Sequence, residues 1–502
     1  MVIDAAIDGL LMLLSYRTFV LFVIGMIVGL VIGFIPGLGG LATIALLIPV
    51  IYGMDAASAI ALILGAYGAV SFGGSITAIL TKTPGTGEQV VTTFDGYPMT
   101  QQGKGARALG ISATASAFGG MFGVLILIIT IPFARQLIIY MRPPEMFALA
   151  LLGIAIMGIV NAQTFTKGIL SGMIGLMLSF IGYDPITGVS RLTFGSIYLH
   201  DGLGITALTM GLFAVAEMFA LYTKGTSIAG TESAHLSNKP GYGVLDGVMD
   251  VLRHWKLSIQ CSIIGAIAGI LPGMGATVAM FTAYGYAARI SKHPERFGKG
   301  APEGILGPES ANNAKEGGSL VPTLAFGIPG SSGMALMIGV FLLLGYVPGP
   351  QMMNNNLDVV FLIAWTMALS NVFASFIGLG IAPILTKATF VRPSLVAPTL
   401  IAISMIGAFV DTRLSIALII TLIAGFVGYL FNILGYSNAG IILGFMLGPL
   451  IQKNLFLSMK AYGWSFFLRP VTLSVFLLGI LLLIGPWIIN LFRKKGDAAH
   501  AA

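Results

Sequence analysis

Two nearly identical phrases, GFIPGLGG at residues 33–40 and GILPGMGA at residues 269–276, interrupt long apolar stretches of the chain. Proline removes a backbone N–H from a helix, and glycine weakens a helix by about 1 kcal/mol. Inside a lipid bilayer, such a break is tolerated only where protein buries it or a water-filled cavity receives it. The phrases therefore predict interrupted membrane helices that serve a function.

The composition of the whole chain also points to a membrane protein. Of 502 residues, 56% are hydrophobic and 9% are charged, whereas soluble proteins carry about 25% charged residues. Several runs without Asp, Glu, Lys or Arg, such as 18–54 and 317–357, exceed the roughly 20 residues of one span. We predict an all-α integral membrane protein with about 10–13 membrane segments, some of them broken or re-entrant.

The net charge of +7 fits an excess of basic residues in cytoplasmic loops. No basic patch is interleaved with aromatic residues, so the sequence does not predict nucleic-acid binding. The single cysteine excludes an internal disulfide.

Three phrases recur in the same order in the two halves of the chain. Gly269 lies 236 positions after Gly33, and Gly318 lies 244 positions after Gly74 in the phrases GGSITAILTKTPG and GGSLVPTLAFGIPG. A third pair of phrases begins at Arg142 and at Arg392. We predict two transmembrane repeats, residues 1–235 and 236–502, joined by a polar, Gly/Ser-rich linker. A parallel and an inverted orientation are both open, and we favour the inverted one.

Four Pro-Gly pairs mark the predicted breaks: Pro36-Gly37, Pro84-Gly85, Pro272-Gly273 and Pro329-Gly330. A helix that restarts after a break exposes unpaired N–H groups and a partial positive charge, and this combination binds anions such as carboxylates. Glycine-rich phrases also serve close helix packing without any ligand, so both interpretations stand.

Hydroxyl and amide side chains accompany these breaks in both halves, and they would suit a carboxylate or a sodium ion. Their alternative role is to hydrogen-bond the preceding helical turn. Lys82 would either pair with a substrate or extend toward the membrane surface. Glu309, Lys315 and Glu316 are charged residues that indicate either a transport pathway or an aqueous loop. Asp95 is interpreted as a turn or cap residue.

Several longer phrases, including FGKGAPEGILGPESANNAKEGGSLVPTLAFGIPGSSGMAL and SFGGSITAILTKTPGTGEQVVTTFDGYPM, resemble the large membrane subunit of the tripartite tricarboxylate transporters, the TctA family. The resemblance covers about residues 20–470. One departure is Phe72, where the family pattern leads us to expect a tyrosine before Gly-Gly.

The resemblance implies a multi-pass permease of the bacterial inner membrane that imports tricarboxylates or related organic acids. It also implies a small TctB-like membrane subunit and a periplasmic, TctC-like solute-binding protein as partners. Uptake would be driven by a sodium or proton gradient, with Na+ as the candidate coupling ion and no other cofactor. The chain lacks the G-x-x-x-x-G-K-[ST] phosphate loop of ATP-driven systems.

The breaks and the resemblance together give the candidate site residues. For the substrate they are Gly37, Gly39, Gly74, Ser75, Thr83, Pro84, Gly85, Thr86, Asn312, Asn313, Gly318, Ser319, Pro329, Gly330 and Ser331. For the ion they are Thr43, Thr277 and Thr323.

Two other functions compete with a carrier that moves by an elevator or a rocking motion. A passive anion channel could use the same broken helices. An intramembrane enzyme is disfavoured, because the metalloprotease motif H-E-x-x-H is absent and no pair of facing acids stands out.

Overall fold

The chain is almost entirely helical in a computed structural model that describes residues 2–35, 38–138, 140–160, 165–184, 186–224, 240–271, 275–388, 393–477 and 479–480. The helices of the first half are α1 (Val2–Leu14), α2 (Tyr16–Phe34), α3 (Gly40–Leu47), α4 (Ala56–Thr81), α5 (Thr92–Gln101), α6 (Gly105–Ile138), α7 (Pro143–Val160), α8 (Phe165–Leu178), α9 (Ile205–Thr209) and α10 (Ala216–Lys224). Those of the second half are α11 (Pro240–Arg253), α12 (Trp255–Ile270), α13 (Gly275–Ile290), α14 (Pro302–Phe326), α15 (Ser332–Leu343), α16 (Pro350–Asn355), α17 (Leu357–Ala388), α18 (Pro393–Thr412), α19 (Ile416–Leu434) and α20 (Asn438–Tyr462).

The remaining regular structure is short. A π-helical stretch, Met210–Val215, joins α9 to α10, and 3-10 turns lie at Ile197–Leu199, Pro294–Arg296 and Gly463–Leu468. The strands β1 (Gly182–Tyr183) and β2 (Ser190–Arg191) pair as an antiparallel hairpin.

Within the described residues, six helices are long and apolar enough to cross a membrane: Tyr16–Phe34, Ala56–Thr81, Gly105–Gln136, Leu357–Ala382, Ile416–Leu434 and Asn438–Leu468. Six further apolar helices have 10–17 residues. The prediction of an all-α, multi-pass membrane protein is confirmed. The total of about 10–13 membrane segments stays a prediction.

The chain forms two compact units. The first contains Met1–Ala134 and Gly204–Leu430, and the second contains Arg135–Leu203 and Phe431–Ala502. Each unit takes segments from both halves of the sequence, so these units are not the predicted repeats. The repeats 1–235 and 236–502 and their inverted orientation stay predictions, and the expected linker at 225–239 lies outside the described residues.

In the first unit, α2 packs directly against the backbone of α4. A Cβ added at Gly29 would lie 2.1 Å from the carbonyl oxygen of Ala66, and one at Gly33 would lie 2.2 Å from that of Val70. Gly25, one turn earlier, has the same relation to Leu62. Only glycine permits this approach, which is how small residues let membrane helices pack closely.

Helices α12 and α14 pack in the same way. A Cβ at Gly265 would lie 2.1 Å from the carbonyl oxygen of Ala311, and one at Gly269 would lie 2.1 Å from that of Lys315. Gly265 and Gly269 lie 236 positions after Gly29 and Gly33. The residues whose carbonyls they face, Ala311 and Lys315, lie 245 positions after Ala66 and Val70. By these contacts Gly318 is the equivalent of Gly73, whereas the sequence phrases had paired it with Gly74.

Asp95 fixes the approach to α14. This residue of α5 is fully buried, and its Oδ1 accepts the backbone N–H groups of Gly300 (2.8 Å) and Ala301 (2.7 Å). The hydroxyl of Tyr284 donates to its Oδ2 at 2.9 Å. Asp95 thus acts as a cap, as expected, but it caps the segment before a distant helix and not a turn of its own.

The second unit has its own buried polar contacts. The Glu145 carboxylate accepts hydrogen bonds from Arg469 Nε (2.9 Å) and from the hydroxyl of Thr472 (2.8 Å). In the loop after α8, the Asp184 carboxylate accepts hydrogen bonds from the N–H of Ile186, the hydroxyl of Thr187 and the guanidinium of Arg191. The hydroxyl of Thr187 and the N–H of Ile186 lower the Asp184 pKa, against the opposing effect of burial.

Candidate functional site

The first restart of a helix is at α3, in the first unit. Gly39 has an extended backbone (φ −91°, ψ −171°) and precedes Gly40, the first residue of the helix. The Thr43 hydroxyl is fully buried and donates to the Gly39 carbonyl at 3.1 Å. No side chain caps α3, so its first N–H groups are available to an anion.

The second restart is at α15. Ser331 is extended, and its hydroxyl oxygen accepts the N–H of Met334 at 3.2 Å, as an N-cap does. The N–H of Gly330 donates to the hydroxyl of Thr323 at 3.2 Å. Pro329, Gly330 and Ser331 are all buried. A break in a membrane helix is thus held by protein contacts, as the bilayer requires.

Both restarts meet at one side chain, Tyr67 of α4. A Cβ at Gly40 would lie 2.6 Å from the Tyr67 ring, and one at Gly333 would lie 2.1 Å from the Tyr67 hydroxyl. The first turns of α3 and α15, which come from different halves of the sequence, therefore touch the same half-buried ring. The absence of side chains at these glycines makes the contact possible.

A buried ion pair lies against Tyr67. The Tyr67 hydroxyl donates to Glu316 Oε1 at 3.0 Å, and Lys315 Nζ lies 2.5 Å from the same oxygen. Only 3% of the Lys315 side chain and 14% of the Glu316 side chain are exposed. Glu88 is within electrostatic range of both residues. Ser319 donates to the Glu316 main-chain carbonyl at 2.8 Å.

The loop after α4 lies beside the start of α3. A Cβ at Gly39 would lie 2.6 Å from the Thr86 methyl group, and one at Gly85 would lie 2.4 Å from the Gly33 carbonyl oxygen. Thr86 is held by Gln89, whose Oε1 accepts both its N–H (3.0 Å) and its hydroxyl. Pro84-Gly85 therefore belongs to the same neighbourhood as the α3 restart.

A second polar centre surrounds Glu309, which is fully buried in α14. Its carboxylate accepts the hydroxyls of Ser75 (2.8 Å), Thr92 (2.7 Å) and Ser116 (2.9 Å), which lie on three other helices. The interpretation of this segment as an aqueous loop is wrong, because residues 302–326 form a helix that is buried along most of its length.

Asn312 and Asn313 lie on α14 between Glu309 and Lys315. The amide of Asn312 donates to the Ser71 hydroxyl of α4 at 2.5 Å, and that of Asn313 donates to the Glu309 main-chain carbonyl at 3.1 Å. Both side chains are 2% exposed. Asn312 thus joins α14 to α4, whereas Asn313 bonds within α14, and both lie along the chain between the two polar centres.

Other predicted site residues have roles in packing or in backbone hydrogen bonding. A Cβ at Gly318 would lie 2.3 Å from the Ala266 carbonyl oxygen, and Gly74 is covered by Gln89. The Thr83 hydroxyl bonds to that of Thr81 at 2.5 Å, and the Thr323 hydroxyl donates to the Ser319 carbonyl at 2.6 Å.

The remaining predicted positions are exposed or lie outside the described residues. Thr277 is exposed on α13, and Gly37 lies outside the described residues, as does Pro272-Gly273. Lys82 is exposed in a left-handed conformation at the end of α4, with its ammonium 5.7 Å from the Tyr97 ring centre.

Sequence reasoning missed Tyr67, Glu88 and Ser116. Tyr67 and Ser116 are single polar groups inside apolar helices, and nothing local distinguishes them from core residues. Ser112 and Ser116 do carry a weak signal, because a spacing of four places both hydroxyls on one helix face.

Comparison with known proteins gives consistent matches. Residues 19–443 match the family described as "Tripartite tricarboxylate transporter TctA family". An uncharacterized 52.8 kDa protein in the TAR-I ttuC' 3' region of Agrobacterium vitis is 32% identical over 460 residues, which cover 91% of this chain and 90% of that protein. An uncharacterized protein in the TAR-II ttuC' 3' region of the same organism is 31% identical over 223 residues, 44% of this chain and 92% of that protein. No solved structure matches.

Proposed function

The chain belongs to the tripartite tricarboxylate transporter TctA family, and we propose that it is the large membrane subunit of an ion-driven importer of tricarboxylates or related organic acids. The importer would lie in the bacterial inner membrane. A small TctB-like membrane subunit and a periplasmic, TctC-like binding protein would complete it, and a sodium or proton gradient would drive uptake.

The convergence of the α3 and α15 restarts at Tyr67 carries this proposal. Two helix N-termini supply N–H donors and two partial positive charges to one small volume. Lys315 adds a full positive charge at the same place. An organic acid with several carboxylates needs several such donors, and neutral N–H groups bind an anion without preventing its release.

The ion pair supports reversible binding. Glu316 pairs with Lys315, and this pairing avoids an isolated buried charge, which would cost several kcal/mol. A substrate carboxylate would compete with Glu316 for the Lys315 ammonium. The Tyr67 hydroxyl, which now donates to Glu316, could donate to the substrate in the same exchange.

The ion-binding role predicted for Thr43, Thr277 and Thr323 stays a prediction. The hydroxyls of Thr43 and Thr323 donate to helix carbonyls, and both keep lone pairs for a cation.

The test is uptake of labelled citrate into proteoliposomes that contain all three components. Lys315→Gln should reduce uptake roughly 10- to 100-fold, since one hydrogen bond to a charged group contributes about 1.5–3 kcal/mol. The control Lys104→Gln changes an exposed lysine and should leave uptake unchanged. Normal uptake by Lys315→Gln would refute the site. Anion currents in a planar bilayer that do not saturate as the anion concentration rises would instead support a passive channel.

A further inference from the structure

Glu309 is a buried carboxylate that forms no ion pair within the described part of the chain. Its side chain has no exposed surface, and no lysine, arginine or histidine among the described residues forms an ion pair with it. Among the other buried carboxylates, Glu145, Asp184 and Asp250 are paired with arginines. Asp95 has no ion pair among the described residues, but two backbone N–H groups and the Tyr284 hydroxyl donate to it. An ionised carboxylate inside a protein is costly unless charge compensates it.

Hydroxyl groups from several helices converge on this carboxylate. Ser75 of α4 and Thr92 of α5 contact Oε1 at 2.8 and 2.7 Å, and Ser116 of α6 contacts Oε2 at 2.9 Å. A proton alone would neutralise Glu309 without requiring so many oxygen atoms. Several uncharged oxygens around one carboxylate are instead the kind of ligand set that a hard cation prefers.

One hydroxyl at this centre makes no hydrogen bond of normal geometry within the part of the chain that the structure describes. Ser112 lies beside the Glu309 carboxylate, one turn before Ser116 on α6. Its side chain has no exposed surface, and its oxygen finds no hydrogen bond among the described residues. A buried polar atom left unsatisfied costs free energy, so a ligand that it could bind would stabilise the protein.

We propose that the Glu309 carboxylate and the hydroxyl oxygens of Ser75, Thr92, Ser112 and Ser116 bind a sodium ion, and that this ion is the one coupled to uptake. The assignment of the ion to coupling rests on the proposed transport function. A single carboxylate balances one positive charge, which favours sodium over a divalent cation. The hydroxyl hydrogens would turn away from the ion, as that of Ser75 can toward the Ser71 carbonyl at 3.1 Å.

The position of this centre explains how an ion could affect substrate binding. Glu309 and Lys315 lie on the same helix, six residues or about 9 Å apart. Ser75 and Tyr67 lie on α4. Ser75 bonds to Glu309, and Tyr67 bonds to Glu316, the partner of Lys315. Sodium at Glu309 would hold α4 and α14 together and so fix the spacing of Tyr67 and Lys315.

The first experiment measures thermal unfolding of the purified full chain in detergent, in NaCl and in choline chloride of equal ionic strength. The wild type and Glu303→Gln, a more exposed glutamate on the same helix, should unfold at a higher temperature in NaCl. Glu309→Gln should lose this shift entirely. A sodium-dependent shift that survives in Glu309→Gln, or is absent from the wild type, overturns the proposal.

If Glu309→Gln does not fold, variants that remove a single serine hydroxyl provide the test. Ser116→Ala retains the carboxylate and should weaken the apparent sodium affinity about tenfold, as loss of one ligand would. Ser262→Ala removes another buried, unpartnered hydroxyl from α12 and should leave the affinity unchanged. Equal sodium affinity in both alanine variants contradicts the site.

Citrate uptake into three-component proteoliposomes separates this inference from the proposed function. Uptake that follows a sodium gradient in the wild type and in Glu303→Gln, but not in Glu309→Gln, supports both. Uptake driven only by a proton gradient overturns the sodium site and leaves the transport function standing. Absence of uptake of any organic acid refutes the function, and with it the coupling role of the ion.

Discussion

Replacing Gly269 by alanine should separate α12 from α14. The added Cβ would lie 2.1 Å from the Lys315 carbonyl oxygen and 2.7 Å from the Ser319 nitrogen. Because both are backbone atoms, no side chain can rotate away, and the helices must part by about 1 Å. Overpacking of this kind costs about 1–3 kcal/mol, and the better helix propensity of alanine returns up to about 1 kcal/mol. We expect a net loss of about 1–2 kcal/mol.

The single thiol of the chain provides the assay. Cys261 is fully buried on the same helix, two turns before Gly269, so a maleimide dye can reach it only when α12 opens. A loss of 1–2 kcal/mol should make labelling roughly 5- to 30-fold faster. Gly285→Ala is the matched control, because a Cβ there meets no atom within 4 Å. Labelling of Gly269→Ala at the wild-type rate would refute this reasoning.

Three further predictions concern caps and acidic side chains. Ser331→Ala should lower the free energy of unfolding by about 0.5–2 kcal/mol and should also reduce citrate uptake. The control Ser437→Ala removes the cap of α20 and should lower stability without reducing uptake. Equal uptake in the two variants would count against the α15 site. Asp95→Asn should lower stability by about 1–3 kcal/mol, measured by thermal unfolding against the exposed control Asp201→Asn, and equal melting temperatures would contradict its capping role. Because the folded-state pKa of Asp184 is lowered from 3.8, its stabilisation is present above that pH and is lost as the pH falls through the lowered value. The melting temperature of the wild type should therefore fall more steeply below about pH 4 than that of Asp184→Asn, and parallel curves would disprove this.

The fold class could be predicted because lipid imposes a simple rule. Long apolar runs must form helices, and glycine-proline phrases must interrupt them. Helices indeed end at Phe34 and Ile270 and restart at Gly40 and Gly275. The assembly of two units from alternating segments could not be predicted, since no local pattern records which helix contacts which.

The candidate site was predicted in part, for a related reason. Gly39, Gly330 and Ser331 were found because backbone breaks leave a signature in the sequence. Tyr67 and Glu309 depend on contacts more than 200 residues away along the chain, to Glu316 and to Ser75. A helix with so many charges, amides and glycines as α14 resembles a loop by composition, and only its burial by neighbouring helices shows otherwise.

The glycine contacts between α2 and α4 restrict how this protein can move. Rotation of α2 by one residue about its axis would bring Val28 or Leu30 to the place of Gly29, where even one added carbon comes within 2.1 Å of a carbonyl oxygen. Rotation of α2 against α4 is therefore blocked, and we expect the two helices to turn together as one unit. A conformational change that turns α2 would therefore also have to turn α4.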